Sequence, residues 1–193
     1  MMNTDALKQF LAQYAQFTPH ELEDIANKFT QKKVAKNEYL LRQGEPCTDL
    51  VFVQKGCLRL YYLVKDIEVS VWFAFPQSSA IEINSFISGQ PSNYFLQAIE
   101  PGEIYVLPKK ELEQLYNIEP KMQEMMRNFW EDVILNLLNR FTALQTDTAE
   151  KRYLDLLKKP DYLAAIPQKY LASFIGVTPS SLSRIRRKIA QTR

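Results

Sequence analysis

Five short runs of strand-forming residues between Val34 and Leu107 constrain the fold more than any other feature. The runs are rich in Val, Ile, Tyr and Phe and are separated by Gly, Pro, Asn, Asp or Lys; they are DLVFVQ, CLRLYYLV, EVSVWFAF, NYFLQAI and EIYVL. Several strands at such short spacing favour a compact antiparallel barrel or sandwich over βαβ units. Within this region, the stretch from Ala80 to Ile87 predicts one or two helical turns.

Helical patterns flank the strands on both sides, so the predicted class is α+β. Residues 4–30 are predicted to be helical, with a capping box at Thr18-Pro19-His20-Glu21. Pro108 opens another helical segment, and a long helix is predicted from Pro120 to about Leu144. Its apolar residues form two adjacent stripes, Met122, Met126, Phe129, Val133, Leu137, Phe141 and Leu144, and beside them Met125, Trp130, Ile134 and Leu138.

An apolar surface this wide is more than one packing neighbour requires. The helix is either buried entirely in its own domain, or it packs on that domain with one side and on a symmetry-related copy with the other. The second interpretation is favoured because a helix of about 25 residues is about 37 Å long, more than a small barrel can cover. We therefore expect a homodimer.

A polar break from Gln145 to Asp147 marks a predicted domain boundary. The expected organisation is a β-barrel domain with N-terminal helices at 1–118, a connecting and dimerisation helix at 119–145, and a small all-α domain at 146–193. The last unit begins with the amphipathic segment TAEKRYLDLLKK, which Pro160 stops.

The segment from Gln168 to Arg187 has the spacing of a helix-turn-helix. Such a unit needs a small residue at its fifth position, glycine at the ninth, and apolar residues at the fifteenth and eighteenth. Those positions are Ala172, Gly176, Leu182 and Ile185. Thr178 is the predicted N-cap of the second helix, and Pro179 its first residue.

The charge distribution points to nucleic acid as the partner of this segment. The net charge is +2, yet from Tyr162 onward there are six Lys or Arg and no Asp or Glu, so the preceding residues sum to −4. If Leu182, Ile185 and Ile189 face inward, the helical period places Ser180, Ser183, Arg184, Arg187 and Gln191 outward. A basic helix face can also be merely solvated, but such faces usually mix both signs of charge.

Arginine can pair with guanine in the major groove, whereas Ser and Lys commonly contact phosphates. Arg184 is therefore the predicted base-reading residue. The full set of predicted DNA contacts is Gln168, Lys169, Thr178, Ser180, Ser181, Ser183, Arg184, Arg187 and Lys188.

The segments TAEKRYLDLL and IPQKYLASFIGVTPSSLSRIRRKI resemble the C-terminal domain of Crp/Fnr-type transcription regulators. The preceding region resembles the cyclic-nucleotide-binding jelly-roll and dimerisation helix of that family, and Gly44 and Gly56 match its glycine turns. The resemblance implies a homodimer bound to a near-palindromic operator in double-stranded DNA. Because only four residues follow Ile189, we expect a helix-turn-helix domain without the family's usual β-hairpin wing.

Nucleotide-binding members of that family carry Gly-Glu at the start of a short helix, and further on an Arg followed by Ser or Thr. Aligned on SFISGQPSNYFLQA, these positions are Ile81, Glu82, Ser92 and Asn93. Because the phosphate-binding arginine and the glycine are missing, we expect no binding of cyclic AMP. The four positions are either a structural relic or part of a pocket for another small-molecule effector.

Other functional classes have little support in the sequence. There is no Gly-rich phosphate loop, nucleophile elbow or histidine constellation, so we expect no enzyme. One histidine, His20, and two cysteines, Cys47 and Cys57, are too few for the usual metal or iron–sulfur sites, so no metal or cofactor is expected. The longest apolar run is VWFAF and no secretory signal is present, which predicts a cytoplasmic protein without a membrane partner.

The alternative function is a small-molecule or cyclic-nucleotide-binding module whose DNA-binding end is vestigial.

Overall fold

The structure of the chain, a computed structural model, describes residues 4–192, with backbone alone for 161–163 and 192. Two helices, α1 (Asp5–Ala12) and α2 (Pro19–Ala26), precede the strands. The strands are β1 (Thr30–Val34), β2 (Tyr39–Leu41), β3 (Asp49–Lys55), β4 (Leu58–Val64), β5 (Ile67–Ala74), β6 (Ser78–Ala80), β7 (Tyr94–Ala98) and β8 (Gly102–Pro108), with α3 (Ile83–Ser88) between β6 and β7. The helices α4 (Lys109–Ile118), α5 (Lys121–Thr146), α6 (Ala149–Leu157), α7 (Pro160–Ala165), α8 (Gln168–Phe174) and α9 (Pro179–Thr192) follow.

The strands form two four-stranded antiparallel sheets in the orders β1-β8-β3-β6 and β2-β7-β4-β5. This is a jelly-roll arrangement of two facing sheets rather than one closed barrel, and it confirms the predicted α+β class. The five strand-like runs of the sequence are β3, β4, β5, β7 and β8, and the predicted turns after Ala80 are α3. The sequence patterns missed β1, β2 and β6, which are short strands at sheet edges.

The main core lies between the sheets, the N-terminal helices and the first half of α5. Met122, Met125, Met126 and Phe129 are each at most 3% exposed. The ring of Phe129 lies 6.1 Å from that of Phe10 in α1. The first half of α5 is therefore anchored in its own domain by apolar burial, which stabilises a side chain by roughly 1.5–3 kcal/mol.

The second half of α5 extends away from this core. Its large apolar side chains are exposed: Ile134, Leu135, Leu137, Leu138, Phe141 and Leu144. The sequence predicted that one side of the helix packs on its own domain and the other side is free for a second copy. In the structure, the first half of the helix packs on its own domain and the second half has the exposed apolar side chains. Phe129, which the stripe pattern assigned to the same surface as Leu137 and Phe141, is a core residue.

A second hydrophobic cluster joins α6, α8 and α9 to the strands. Tyr153, Leu171 and Leu182 lie here together with Phe73 of the second sheet and Cys57, which immediately precedes β4. Every element described within residues 147–192 is a helix. None of the helices within residues 4–192 combines the length and apolar character that a bilayer span requires.

Gly56 connects β3 to β4 where the backbone passes very close to the loop before β8. Its φ is +92°, and a Cβ added there would lie 2.9 Å from Gly102 Cα and 2.9 Å from Pro101 O. Gly44 has nearly the same φ, +91°, but a Cβ there would meet no atom within 4 Å. Substitution of Gly44 therefore measures the cost of the left-handed backbone conformation alone. Substitution of Gly56 adds the cost of a methyl group placed against the neighbouring backbone.

Gly44→Ala should lower the free energy of unfolding by about 1–2 kcal/mol, the cost of a left-handed conformation with a Cβ. Gly56→Ala should cost at least about 1 kcal/mol more, because the new methyl group meets rigid backbone. Urea unfolding of both variants measures the difference. Equal losses would show that the β8 loop moves aside without cost.

Candidate nucleic-acid interface and effector cavity

The four diagnostic positions of the helix-turn-helix occupy the places that the sequence predicts. Ala172 and Leu182 are each 0% exposed, and Ile185 is half-buried between α8 and α9. Gly176 has a φ of +75°, the left-handed conformation that the turn requires. The predicted helix-turn-helix is therefore formed by α8 and α9.

Hydrogen bonds fix the turn between the two helices. The amide of Val177 donates to Ala172 O at 3.0 Å, and the amide of Gly176 donates to Ser173 O at 3.1 Å, the pattern of a Schellman motif. Thr178 caps α9, because its Oγ1 accepts from the amide of Ser181 at 3.2 Å. The predicted cap and the predicted first residue, Pro179, are both correct.

The outward face of α9 is open to solvent. Exposed residues on it include most of the predicted contacts, namely Ser180, Ser183, Arg184, Arg187 and Lys188, together with Gln191. Ser181 is half-buried, and its Oγ accepts from the Arg184 guanidinium at 3.2 Å. Thr178, Gln168 and Lys169 are exposed at the N-terminal ends of the two helices. All nine predicted DNA contacts thus lie on α8, on α9 or at the cap.

The electrostatic surroundings of two predicted phosphate contacts differ from the sequence expectation. Lys188 Nζ lies 2.7 Å from a carboxylate oxygen of Glu150 in α6, and Lys169 Nζ lies 3.8 Å from one of Glu68 in β5. Sequence reasoning found no acidic residue near these lysines because both carboxylates come from earlier in the chain. Phosphate binding at either lysine must therefore compete with an ion pair, although exposed pairs of this kind are weak.

A cavity of about 860 Å³ lies between β4, β5, α3 and α5. Its walls are largely apolar and aromatic, and they include Leu60, Tyr62, Val71, Trp72, Ile81, Ile83, Tyr94, Phe129, Val133, Leu137, Phe141 and Leu144. Among the described residues that line it, the charged side chains are Glu82 and Arg140. The volume suits a small organic ligand.

Glu82 is 4% exposed and acts as the N-cap of α3. Its two carboxylate oxygens accept from the amides of Asn84 and Ser85, each at 3.0 Å. The positive end of this short helix is therefore already occupied by a carboxylate of the protein itself. Its charge also acts on Tyr94 across the cavity: the Tyr94 pKa is raised, mainly by burial and further by Glu82.

The other three candidate pocket positions have different roles. Ile81 and Asn93 line the cavity, as Glu82 does. Ser92 is 2% exposed and is held in a turn, where its Oγ accepts from the Tyr94 amide at 2.9 Å. The structure therefore brings Ile81, Glu82 and Asn93 together at the cavity, while the hydroxyl of Ser92 serves the backbone.

Arg140 is the cation of the cavity wall, and its guanidinium is directed to the helix-turn-helix. It donates to Phe174 O at 2.9 Å and lies over the Phe174 ring at 3.6 Å from the centroid.

The aromatic residues Tyr62, Trp72 and Tyr94 were not identified from the sequence, because the strand pattern alone does not say which face lines a cavity. No group of three or more His, Cys, Asp or Glu placed to hold a metal occurs in the described part of the chain.

Comparisons with known proteins agree with this architecture. Residues 31–119 match the cyclic nucleotide-binding domain family. The chain is 18% identical over 177 residues to electron transport regulator A of Shewanella oneidensis, covering 86% of this chain and 70% of the relative. The structure of FixK2 from Bradyrhizobium japonicum has a TM-score of 0.71 at 18% identity and covers 85% of each chain. A protein of Eubacterium rectale, described as a transcriptional regulator of the Crp/Fnr family, has a TM-score of 0.70 at 14% identity, covering 91% of this chain and 85% of that one.

Proposed function

Since residues 31–119 match the cyclic nucleotide-binding domain family and most of the chain is similar in fold to solved regulators such as the Crp/Fnr-family protein of Eubacterium rectale, we propose that this protein is a homodimeric, DNA-binding transcription regulator. It is a cytoplasmic binding protein rather than an enzyme. Its effector domain comprises residues 1–118, its connecting helix 119–145, and its DNA-reading domain 146–193.

The observation that carries this proposal is the exposed basic face of α9 on a correctly formed helix-turn-helix. Arg184 and Arg187 lie one turn apart on that face, among small hydroxyl side chains. An α-helix fits the major groove, where a guanidinium can donate two hydrogen bonds to guanine O6 and N7. Arg184 lies near the N-terminal end of α9, the part of a recognition helix that contacts base edges.

Arg184→Ala should weaken binding to the specific site by about 1–3 kcal/mol and relax the preference at one base pair in each half-site. Fluorescence anisotropy with a duplex selected from a randomised pool, and with a random duplex, measures both effects. Arg186→Ala is the matched control, because it removes the same charge from the flank of α9 next to the buried side. Equal losses on the two duplexes for Arg184→Ala would reduce this residue to a phosphate contact.

Lys169→Ala and Lys188→Ala should instead weaken binding to all duplexes alike. Each loss of a phosphate contact should also reduce the slope of log affinity against log salt by about 0.9. Because both lysines have carboxylate partners, we expect smaller effects than for an unpaired lysine. A change in base preference for either variant would contradict the assignment to phosphates.

The second half of α5 is proposed to form the dimer interface with a second copy of the chain. Its exposed apolar residues would otherwise be a contiguous apolar surface on a monomer. A two-fold axis that runs along the paired α5 helices would place two copies of α9 on one side of the dimer. Operator half-sites about 34–36 Å apart, one helical turn, are then expected.

The double variant Ile134→Glu, Leu138→Glu should be monomeric, because it places charges on side chains that are 53% and 56% exposed in the single chain. Analytical ultracentrifugation measures the result. Asn136→Glu with Asn139→Glu, on the polar side of the same helix, controls for added charge and should remain dimeric. Phe129 is unsuitable for this test, since its replacement would disrupt the core. A dimeric Ile134/Leu138 variant would place the interface elsewhere.

The effector cavity is proposed not to bind cyclic AMP. A cyclic phosphate enclosed there would lie near the Glu82 carboxylate, which already occupies the amides of α3. The position of the phosphate-binding arginine is Ser92, and the cation of the wall, Arg140, is bonded to Phe174. Loss of a charge-assisted partner to a buried anion costs about 3–5 kcal/mol, roughly a hundredfold to several thousandfold in affinity.

Calorimetric titration with cyclic AMP and with cyclic GMP should therefore give no saturable heat at micromolar ligand. Neither nucleotide should change the affinity for DNA. A micromolar dissociation constant would contradict this account, and its loss in Arg140→Ala would identify the cation that replaces the missing arginine.

The second candidate function is a small-molecule-binding module with a vestigial DNA-binding end. The size of the cavity favours it, because about 860 Å³ is ample for an organic ligand. It predicts that no duplex is enriched from a randomised pool. The DNA-binding experiments above therefore distinguish the two functions.

A further inference from the structure

Aromatic side chains line the sheet side of the effector cavity because of the register of its strands. Leu60 and Tyr62 are two residues apart on β4, and both line the cavity. Leu60 is paired with Trp72 of β5. Tyr62 is paired with Tyr94 of β7, and their rings meet edge to face with centroids 5.4 Å apart. Cross-strand pairing therefore brings three aromatic rings to one wall of the cavity.

These three rings can attract a positive charge. Tyr62, Trp72 and Tyr94 are half-buried, so each of them retains surface for a ligand. An aromatic ring has a negative face, and Trp and Tyr attract a cation that lies over that face, most strongly where water is excluded. An aromatic wall would also bind a neutral apolar ligand, so the charged groups of the cavity decide between the two.

Glu82 supplies a buried negative charge at the same cavity. It is 4% exposed, and its two carboxylate oxygens accept from the amides of Asn84 and Ser85. The ion pairs among the described side chains, residues 4–160 and 164–191, all involve other carboxylates. A carboxylate has about four lone-pair directions, so the two amide bonds leave it able to accept more hydrogen bonds. A buried carboxylate of this kind is stabilised by a ligand of opposite charge.

The charge of Glu82 acts on the aromatic wall. Burial raises the pKa of Tyr94, and the nearby Glu82 carboxylate raises it further. The field that disfavours a negative charge on the Tyr94 hydroxyl favours a positive charge beside it. The carboxylate and the aromatic rings therefore act on the same region of the cavity.

Arg140 is the positive group of the cavity wall, and it would repel a cation bound close to it. The end of the cavity that Glu82 occupies is marked by α3, where the Phe86 ring lies 6.5 Å from that of Trp130 in α5. Arg140 is ten residues beyond Trp130, about 15 Å along the helix axis. Its guanidinium donates to Phe174 O and lies over the Phe174 ring. The cavity is therefore negative at the α3 end and positive at the other.

From this arrangement we propose that the effector cavity binds an organic cation, a protonated amine attached to an aromatic or alkyl body. The ammonium group is placed beside Glu82, against the rings of Tyr62 and Tyr94. The apolar body extends along α5, where Val133 and Leu137 line the cavity. This inference rests on the proposed function for the role of the cavity as an effector site, and it adds the chemical class of the effector.

Three ligands with closely matched carbon skeletons separate the effect of charge from that of shape. At neutral pH naphthylethylamine is a cation, naphthylethanol is uncharged and naphthylacetate is an anion. Calorimetric titration of the full chain measures the three dissociation constants. The amine should bind at least about tenfold more tightly than the alcohol, and the acetate should bind most weakly. Equal affinities for amine and alcohol would overturn the inference, as would tightest binding of the acetate or no saturable heat with the amine.

Glu82→Gln should abolish the preference for the amine over the alcohol, because it removes the negative charge of the cavity. Glu45→Gln is the matched control, and it should retain the preference. The Glu45 carboxylate is exposed, accepts from the Arg42 amide at 2.8 Å and lies outside the cavity lining. A preference that persists in Glu82→Gln would contradict the role of this carboxylate.

Tyr62→Leu provides a second test that leaves the cap of α3 intact, since replacement of Glu82 also weakens that helix. The variant removes one ring and keeps an apolar side chain. It should therefore reduce the affinity for naphthylethylamine more than that for naphthylethanol. Equal losses for the two ligands would contradict the cation–π contact. None of these titrations contains DNA, so failure of the amine to bind and failure of the proposed DNA-binding function are separate results.

Discussion

Burial of the first half of α5 is the constraint on which the other parts of the molecule depend. Met122, Met126 and Phe129 anchor the helix in the core and so fix its direction. From that anchor the second half forms one wall of the cavity, presents an apolar surface outside the core, and carries Arg140 to the end of α8. One helix therefore connects the cavity, the exposed apolar surface and the helix-turn-helix, and a change in its position would affect all three.

The second sheet has a comparable dual role, since residues of β4 line the cavity on one face and contact α8 on the other. Alternation along β4 directs Leu60 to the cavity and Arg59 to α8. Each site has its own carboxylate: Glu82 occupies the amides of α3, and Glu68 lies beside Lys169. The Glu82 charge thus disfavours an anionic ligand in the cavity, and the Glu68 charge lowers the local attraction of Lys169 for a phosphate.

Features that depend on local backbone geometry were predictable from the sequence. The helix-turn-helix was found because Gly176, Ala172 and Leu182 must recur at fixed spacing whatever surrounds them. Features that depend on packing between distant segments were not. Residues 68 and 169 are far apart in the chain, so the ion pair between them and the burial of Arg59 follow only from the docking of α8. The short strands β1, β2 and β6 were missed because each is brief and gains its hydrogen bonds from remote partners.

The central claim is that α9 reads the major groove as part of a two-fold dimer, and guanine methylation interference on the selected duplex tests it most directly. N7 of guanine lies in the major groove, so a methyl group there blocks a bidentate arginine. The account predicts two symmetric clusters of interfering guanines about 10–10.5 base pairs apart, centre to centre. Interference at no guanine, or in one cluster alone, would contradict it.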